Sequence, residues 1–231
     1  KGFVPFEEMP FIYNPDKGYI ATANNKIVDD DYPYYISNQW AEPSRIERIE
    51  EWLDSKEKLT VEDIKTLQND WLSPFAREVV PNIVKWLPQN LNENELTAVN
   101  ILKDWDYVED KESAAALIFH TVLDELLHNV YEDELAMIDD KAFDALVHFS
   151  MLPYRNIHWV LEEGQSSWID DVTTPGHIET RTEIVTKSFR NAVKRIEKEV
   201  GINPTTWSWG SAHTLTHPHP LGKINILDKL F

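Results

Sequence analysis

Asn24 and Arg45 are the residues of this chain whose types and positions best suit a chemical role. An Asn amide at the end of a strand can donate a hydrogen bond to an oxyanion, the charge that forms on a carbonyl oxygen during acyl transfer. Ser44 and Glu47 have the spacing of a capping box, which predicts a helix with Arg45 at its first position. Because the helix dipole disfavours a cation there, a paired or functional role for Arg45 is indicated. No other residue stands in a pattern typical of the nucleophile that such a donor would serve.

The apolar run near the middle of the chain carries a second set of candidates, His120, Asp124 and His128, at a spacing that puts them on one helix face. Glu125 and His128 also form the Glu-x-x-His element of di-iron carboxylate proteins. That type of site needs the element twice and two further Glu residues from other helices, and the sequence contains one copy. A stripe of paired polar side chains is therefore the favoured interpretation.

A third cluster, His213, His217 and His219, lies near the end of the chain and has the residue type of a zinc site. No Cys accompanies these residues, and the neighbouring prolines indicate an irregular loop, so a hydrogen-bonded structural loop is favoured. Serine-hydrolase catalysis of the elbow type is not indicated, because the pattern Gly-x-Ser-x-Gly is absent from the sequence.

The composition is that of an acidic globular protein. The net charge is −18 and the pI is about 4.7, which argues against nucleic acid and anionic membranes as partners, because both attract basic surfaces. A hydrophobic fraction of 42% with nine Trp is enough to build a core. The absence of Cys excludes disulfides and thiol catalysis, and no apolar run approaches the length of a membrane span.

The residues before Asn24 predict a β-hairpin. Asn14–Gly18 is a turn sequence, because its Pro fixes φ and its Gly accepts a positive φ. Phe11–Tyr13 and Tyr19–Ile20 flank the turn with strand-type residues, and the second strand leads into Asn24. Since a two-stranded hairpin is marginal in water, we expect it to belong to the edge of a sheet that is incomplete in this chain.

Most of the remaining sequence predicts helices. Thr60 with Asp63 is a second capping box, and it opens a helix that Pro74 is expected to interrupt. Ser113 precedes the run 114–130, which is apolar on most sides and is therefore expected at the centre of the fold. Further helices are predicted over 76–86, after Asn92, over 140–150 and over 178–200, the last ended by Gly201.

Six motifs, in order along nearly the whole chain, resemble those of penicillin acylases, a family of N-terminal-nucleophile hydrolases. The first three are Val4–Pro10, Gly18–Ala21 with Asn24–Asn25, and Trp40 with Ser44–Ile46. The next two are Gln68, Asp70, Ser73 and Ala76 followed by Pro81, and Leu102 with Trp105–Asp106. The last is Trp209–Gly210 with His213–Thr216 and His219–Gly222. The resemblance implies that the chain is an internal fragment of the β-subunit of such an enzyme.

The resemblance also implies roles for the two candidate residues. Asn24 matches the family's side-chain oxyanion donor, and Arg45 matches an Arg that lies beside the nucleophile and supports that Asn. Both side chains should therefore lie close together at an exposed end of the chain, and both should lack some hydrogen-bond partners. The implied fold class is mainly α with a short N-terminal β-hairpin, the helical portion of an αββα β-subunit. Its expected divisions are a strand and loop segment at 1–40, a helical domain at 41–205 and an irregular tail at 206–231.

The chain departs from the family pattern at its start. The family's nucleophile is the Ser that begins the β-subunit after self-cleavage, whereas this chain begins with Lys1. We therefore expect the Ser and the backbone half of the oxyanion hole upstream, so that the fragment alone is inactive. The implied partners are the α-subunit, the rest of the β-subunit and a small-molecule amide such as a penicillin or an acyl-homoserine lactone. The family is periplasmic or secreted, a location that the residues of this fragment do not determine.

Asp29–Asp31 lie near the position of one calcium ligand in some members of the family. The alignment slips by a residue or two there, so no metal ligand is assigned. We expect no cofactor in this chain, and a structural calcium stays open for the full enzyme.

Two other functions stay open from the sequence. One is an acidic helical interaction module without chemistry, which would be favoured if Asn24 were packed inside and pointed away from any cleft. The other is a ferritin-like metal carboxylate protein, which stoichiometric iron or manganese in the purified chain would indicate.

Overall fold

The computed structural model of the chain describes residues 2–148, 151–215 and 217. Its helices are α1 (Ser44–Asp54), α2 (Val61–Gln68), α3 (Pro74–Trp86), α4 (Glu93–Lys103), α5 (Ala114–Ala136), α6 (Ala142–His148), α7 (Met151–Glu163), α8 (Arg181–Glu199) and α9 (Trp209–Ala212). Short 3-10 turns occupy Phe6–Glu8, Ser167–Ile169 and Pro204–Thr206. The chain is thus mainly helical, as predicted. No helix among these residues is long and apolar enough to span a bilayer.

The core is built on α5 and α8, which pack along each other. α5 buries residues on most sides, including Leu117, Leu126 and Val130, which is why its sequence reads as apolar all round. α8 instead buries one stripe that recurs every three or four residues, and Ile184 and Phe189 in that stripe are completely buried. α3 and α4 pack against this pair and enclose it on one side. The central position predicted for the run 114–130 is confirmed.

Local capping chemistry sets several helix starts. The side chain of Thr60 accepts a hydrogen bond from the N–H of Asp63, and the Asp63 side chain accepts one from the Thr60 N–H, so the predicted box at α2 is present. Asn92 caps α4 through a similar box, and Ser113 caps α5. Each bond satisfies a backbone donor of a first helical turn that has no partner within the helix.

The predicted hairpin is wrong, because no strand forms in residues 11–25. The turn itself is present: the Gly18 N–H donates to the Pro15 carbonyl at 2.9 Å, and Gly18 has a φ of 77°. The flanking segments do not pair, since turn chemistry is local whereas a strand needs a neighbour to bond. The segment is held on α1 by its side chains instead, and the Tyr19 hydroxyl donates to Asp54 at 2.8 Å.

α3 and α7 differ from the sequence expectation, and α8 begins at Arg181 rather than at residue 178. Pro74 opens α3 rather than interrupting α2, and Ser73 caps the new helix. A Pro at the first helical position costs nothing there, because its missing N–H would have no helical partner. α7 was not predicted, and Pro153 lies in its first turn, where a Pro is also tolerated. The predicted helix end at Ser150 lies outside the described residues.

Candidate functional site

Asn24 lies at a sharp bend of the backbone. It has a φ of 61°, in the left-handed region that Asn tolerates better than most residues. The Oδ1 atom of Asn25 accepts the N–H of Ala23 at 3.0 Å, and the N–H of Ala41 donates to the Asn24 carbonyl at 2.8 Å. These two bonds hold the bend while the Asn24 side chain stays exposed.

Arg45 fixes which way the Asn24 amide faces. Its Nη2 atom donates to the Ala23 carbonyl at 2.7 Å and lies 3.1 Å from Oδ1 of Asn24. Because a guanidinium has donors and no acceptor, the amide oxygen must be the atom that faces Arg45. The amide nitrogen Nδ2 therefore points away, and within the described residues it has no protein partner.

The structure thus brings the two candidate residues together at an exposed position, as predicted. The expectation that both side chains lack some hydrogen-bond partners is wrong for the Asn24 oxygen and for Nη2 of Arg45, which bind each other. It holds for the Asn24 nitrogen and for the Nε and Nη1 atoms of Arg45, which have no protein partner among the described residues. The catalytic roles of both residues stay predictions.

The start of α1 differs from the predicted capping box. Pro43 occupies the N-cap position, Ser44 is the first helical residue and Arg45 the second. The carboxylate of Glu42 accepts the Ser44 N–H at 2.9 Å and also binds the Ser44 hydroxyl. Ser44 is therefore engaged from outside the helix, and Glu47 makes no box with it. Sequence reasoning missed Glu42, although a Pro at the N-cap, which offers no side-chain acceptor, signals that another residue must supply one.

Glu109 and His120 form a polar pair near Arg45, and all three residues line one cavity of about 390 Å³. The Nε2 atom of His120 lies 3.1 Å from Oε1 of Glu109, an ion-pair distance without the direction of a good hydrogen bond. Burial raises the pKa of Glu109, but the neighbouring His120, together with Ser73 and His213, outweighs burial and holds the pKa below its ordinary value. The ring of Trp209 stacks between His120 at 4.4 Å and His213 at 4.5 Å.

The side chains considered as metal ligands find separate partners. His120 faces Glu109, Asp124 binds Arg195 at 2.5 Å, and His128 binds Glu132 at 2.8 Å. Over the part of the chain that the structure describes, no three His, Cys, Asp or Glu residues are placed to hold a metal ion. His213 is occupied by the ring stack, and His219, like the rest of the motif to Gly222, lies outside that part.

Comparison with known proteins agrees with the penicillin acylase motifs found in the sequence. The sequence profile of the penicillin amidase family matches residues 1–230. The chain belongs to the penicillin amidase family. Members that resemble it are amide-hydrolysing acylases, so the family is one of hydrolases.

Individual relatives are similar at lower identity. The acyl-homoserine lactone acylase QuiP of Pseudomonas syringae pv. tomato is 28% identical over 237 residues, which cover 96% of this chain and 28% of that protein. The penicillin acylase 2 proenzyme of Pseudomonas sp. is 40% identical over 76 residues, covering 33% of this chain and 10% of the proenzyme. A thermostable penicillin G acylase from Alcaligenes faecalis has the same fold with a TM-score of 0.60 at 19% identity, covering 90% of this chain and 41% of its own. The chain spans about a quarter of the length of the QuiP acylases that it matches.

Proposed function

We propose that this chain is part of an acylase that hydrolyses linear amide bonds, in which Asn24 donates its side-chain N–H to the oxyanion of the tetrahedral intermediate. The nucleophile in this proposal is an N-terminal Ser in a part of the protein outside the chain. Family membership supports the reaction class. The observation that carries the residue assignment is the contact of Arg45 with Oδ1 of Asn24, since it leaves the amide nitrogen free to donate.

An oxyanion donor is effective only if it is oriented before the reaction. The guanidinium of Arg45 holds the amide oxygen, and the Ala41 N–H holds the Asn24 carbonyl, so neither the side chain nor the backbone must reorganise when the charge develops. One preorganised donor of this type typically accelerates acyl transfer by about 10²–10³-fold. Arg45 supports the reaction in this proposal by fixing the Asn24 side chain.

The remainder of the acylase is the partner that we propose for the N-terminal segment. Phe3, Phe6 and Phe11 are each more than 80% exposed, as is Tyr13. A run of exposed aromatic side chains this dense is typical of a surface that another part of a protein covers. We propose that the fragment alone is inactive, because its nucleophile lies in another part of the protein. We also propose that it needs no cofactor of its own and that the substrate of the full protein is a small amide. Neither nucleic acid nor a membrane is part of the proposal, and the family resemblance supports a periplasmic or secreted location for the full-length protein only.

Substitution of Asn24 in the complete protein tests the assignment. Asn24→Asp keeps the oxygen that Arg45 binds and replaces the N–H donor with a second oxygen, so it separates the two functions of the side chain. We expect both Asn24→Asp and Asn24→Ala to lower kcat by about 10²–10³-fold on phenylacetyl and decanoyl nitroanilides. The melting temperature should hold for Asn24→Asp, because Asp also tolerates a positive φ, and should fall slightly for Asn24→Ala, because Ala tolerates the φ of 61° less well. Asn100→Ala is the matched control, because Asn100 is an exposed Asn in α4, away from the site.

The comparison has clear outcomes. Turnover of Asn24→Asp within a few-fold of wild type would contradict an oxyanion role for the side chain. Loss of activity in Asn100→Ala as well would show that the assay responds to changes that are unrelated to the site. The two nitroanilides also report whether the acyl group is aromatic or aliphatic.

A further inference from the structure

Glu42 connects the start of α1 to the candidate site. Its carboxylate accepts the Ser44 N–H at 2.9 Å and binds the Ser44 hydroxyl, although Glu42 itself precedes the helix. The N-cap residue Pro43 has no side-chain acceptor and makes no capping bond. Glu42 therefore supplies the acceptor that the first turn of α1 would otherwise lack.

In the sequence, Glu42 lies between Ala41 and Arg45, the two residues that bind the Asn24 segment. On its N-terminal side, the Ala41 N–H bonds the Asn24 carbonyl at 2.8 Å. On its C-terminal side, Arg45 binds Ala23 and Asn24 from the second position of the helix. Where the first turn of α1 lies thus determines where the guanidinium lies, and the guanidinium determines the direction of the Asn24 amide.

Electrostatics supports the same arrangement. A helix N-terminus carries a partial positive charge, which disfavours a cation such as Arg45 in the first turn. A carboxylate at that terminus is favoured by the dipole, and Glu42 borders the same cavity as Arg45. Glu42 therefore offsets the unfavourable placement of Arg45 and holds the turn that carries it.

We infer that Glu42 is a positioning residue of the acylase: by capping α1 from outside the helix, it sets the position of Arg45 and through it the orientation of the Asn24 amide. This inference rests on the proposed role of Asn24. It assigns no contact between Glu42 and the substrate. Its prediction is that Glu42 influences turnover through Asn24 and leaves substrate affinity largely unchanged.

A double-mutant comparison in the complete protein tests the inference. With phenylacetyl and decanoyl nitroanilides, we expect Glu42→Ala to lower kcat about tenfold, which corresponds to about 1.4 kcal/mol, with KM changed less than twofold. Glu42→Gln keeps an acceptor oxygen for Ser44 and should restore most of kcat. In the Asn24→Ala background, Glu42→Ala should cause no further loss, because the amide that it orients is gone.

Thr60→Ala is the matched control. It removes the capping box of α2, a helix start that makes no contact with Asn24 or Arg45, and should lower the melting temperature without lowering kcat. Should Glu42→Ala fail to fold, Glu42→Gln is compared in the two backgrounds instead, with a loss of about threefold expected in wild type and none in Asn24→Ala.

Equal losses of kcat in the wild-type and Asn24→Ala backgrounds would overturn the inference, and so would a Glu42→Ala variant with wild-type kcat. These outcomes are distinct from failure of the proposed function. If Asn24→Ala alone keeps normal turnover, the oxyanion assignment fails first. If Asn24→Ala is impaired and Glu42→Ala is not, only the role of Glu42 is refuted.

Discussion

Glu134 near the end of α5 should make the stability of this chain depend on pH. The Oδ1 atom of Asp133 and the Oε2 atom of Glu134 are both buried, and neither finds a donor in the described structure. Two carboxylate oxygens can bond each other only through a shared proton. Burial, the hydrogen bond with Asp133 and the negative charges of Asp133 and Asp170 raise the pKa of Glu134 to about 8.

The sign of the effect follows from the direction of this shift. The folded chain keeps a proton on Glu134 between the ordinary pKa of 4.5 and about 8, whereas the unfolded chain releases it. The free energy of unfolding is therefore highest below the unfolded pKa and falls as the pH rises through 8. About two pKa units of the shift lie between pH 6 and 8, an upper limit of about 2.7 kcal/mol. Since the side chain is partly exposed and screened by water, we expect about 1 to 1.5 kcal/mol.

Urea unfolding of the chain at pH 6 and pH 9, followed by circular dichroism, measures this loss. Glu134→Gln stays neutral and its amide can donate to Asp133, so it should lose about 1 to 1.5 kcal/mol less than wild type between the two pH values. Glu112→Gln is the control, because that side chain is 76% exposed and should change nothing. Parallel pH profiles for wild type and Glu134→Gln would refute the reasoning.

Three further changes test the site and the core. Arg45→Lys shortens the side chain by one bond, so its ammonium cannot reach the position of Nη2, the atom that contacts both Ala23 and Asn24. kcat of the complete protein should therefore fall at least about tenfold while the melting temperature holds, and unchanged kcat would contradict this. Ile184→Ala empties a completely buried position of α8 and should cost about 2–5 kcal/mol in urea unfolding, and a cost below 1 kcal/mol would mean that the core collapses around it. Gly164→Ala should lower the melting temperature, because Gly164 has a φ of 66° and a Cβ there would lie 2.9 Å from Nη1 of the Arg181 side chain. A variant as stable as wild type would contradict both the backbone strain and the clash.

Helix starts were the most predictable part of the fold, because a capping box is formed by two residues that are three positions apart in the sequence. Thr60 and Asn92 each accept the N–H of a residue three positions later, and no tertiary contact is needed for that bond. Ser44 failed as a cap for a local reason that the pattern did not include. The neighbouring Glu42 binds both its N–H and its hydroxyl, which leaves Ser44 inside the helix.

The hairpin failed because strand pairing is not local. The sequence Asn14–Gly18 contains enough information for a turn, and the turn forms, but Phe11–Tyr13 has no neighbouring strand among the described residues. α7 was missed because a Pro within a helical pattern suggests a break. Pro153 is tolerated only because it falls in the first turn, and the sequence alone does not show where that turn begins.

The proximity of Asn24 and Arg45 could be predicted from the family resemblance but not from spacing or periodicity. The two residues are joined by a side-chain bond across 21 positions of irregular chain, and nothing in the local pattern requires that bond. The Glu109–His120 pair was missed likewise, because its members come from a loop and from α5. Side chains that meet through tertiary packing carry no signal at short sequence range.

The bonds that orient Asn24 also close a loop. Residues 25–40 leave the bend at Asn24 and return where the Ala41 N–H meets the Asn24 carbonyl, so both ends of the loop are fastened at the same point. The entropy of closing a flexible loop grows only with the logarithm of its length, about 0.6 kcal/mol for each doubling. Insertions and deletions within residues 26–39 therefore change the closure entropy little, and those that spare the contacts of Tyr32 with Glu8 and of Asn38 with Arg155 keep the loop fastened beside the amide. Such a loop is a place where evolution can reshape the surroundings of a reaction centre without disturbing the centre itself.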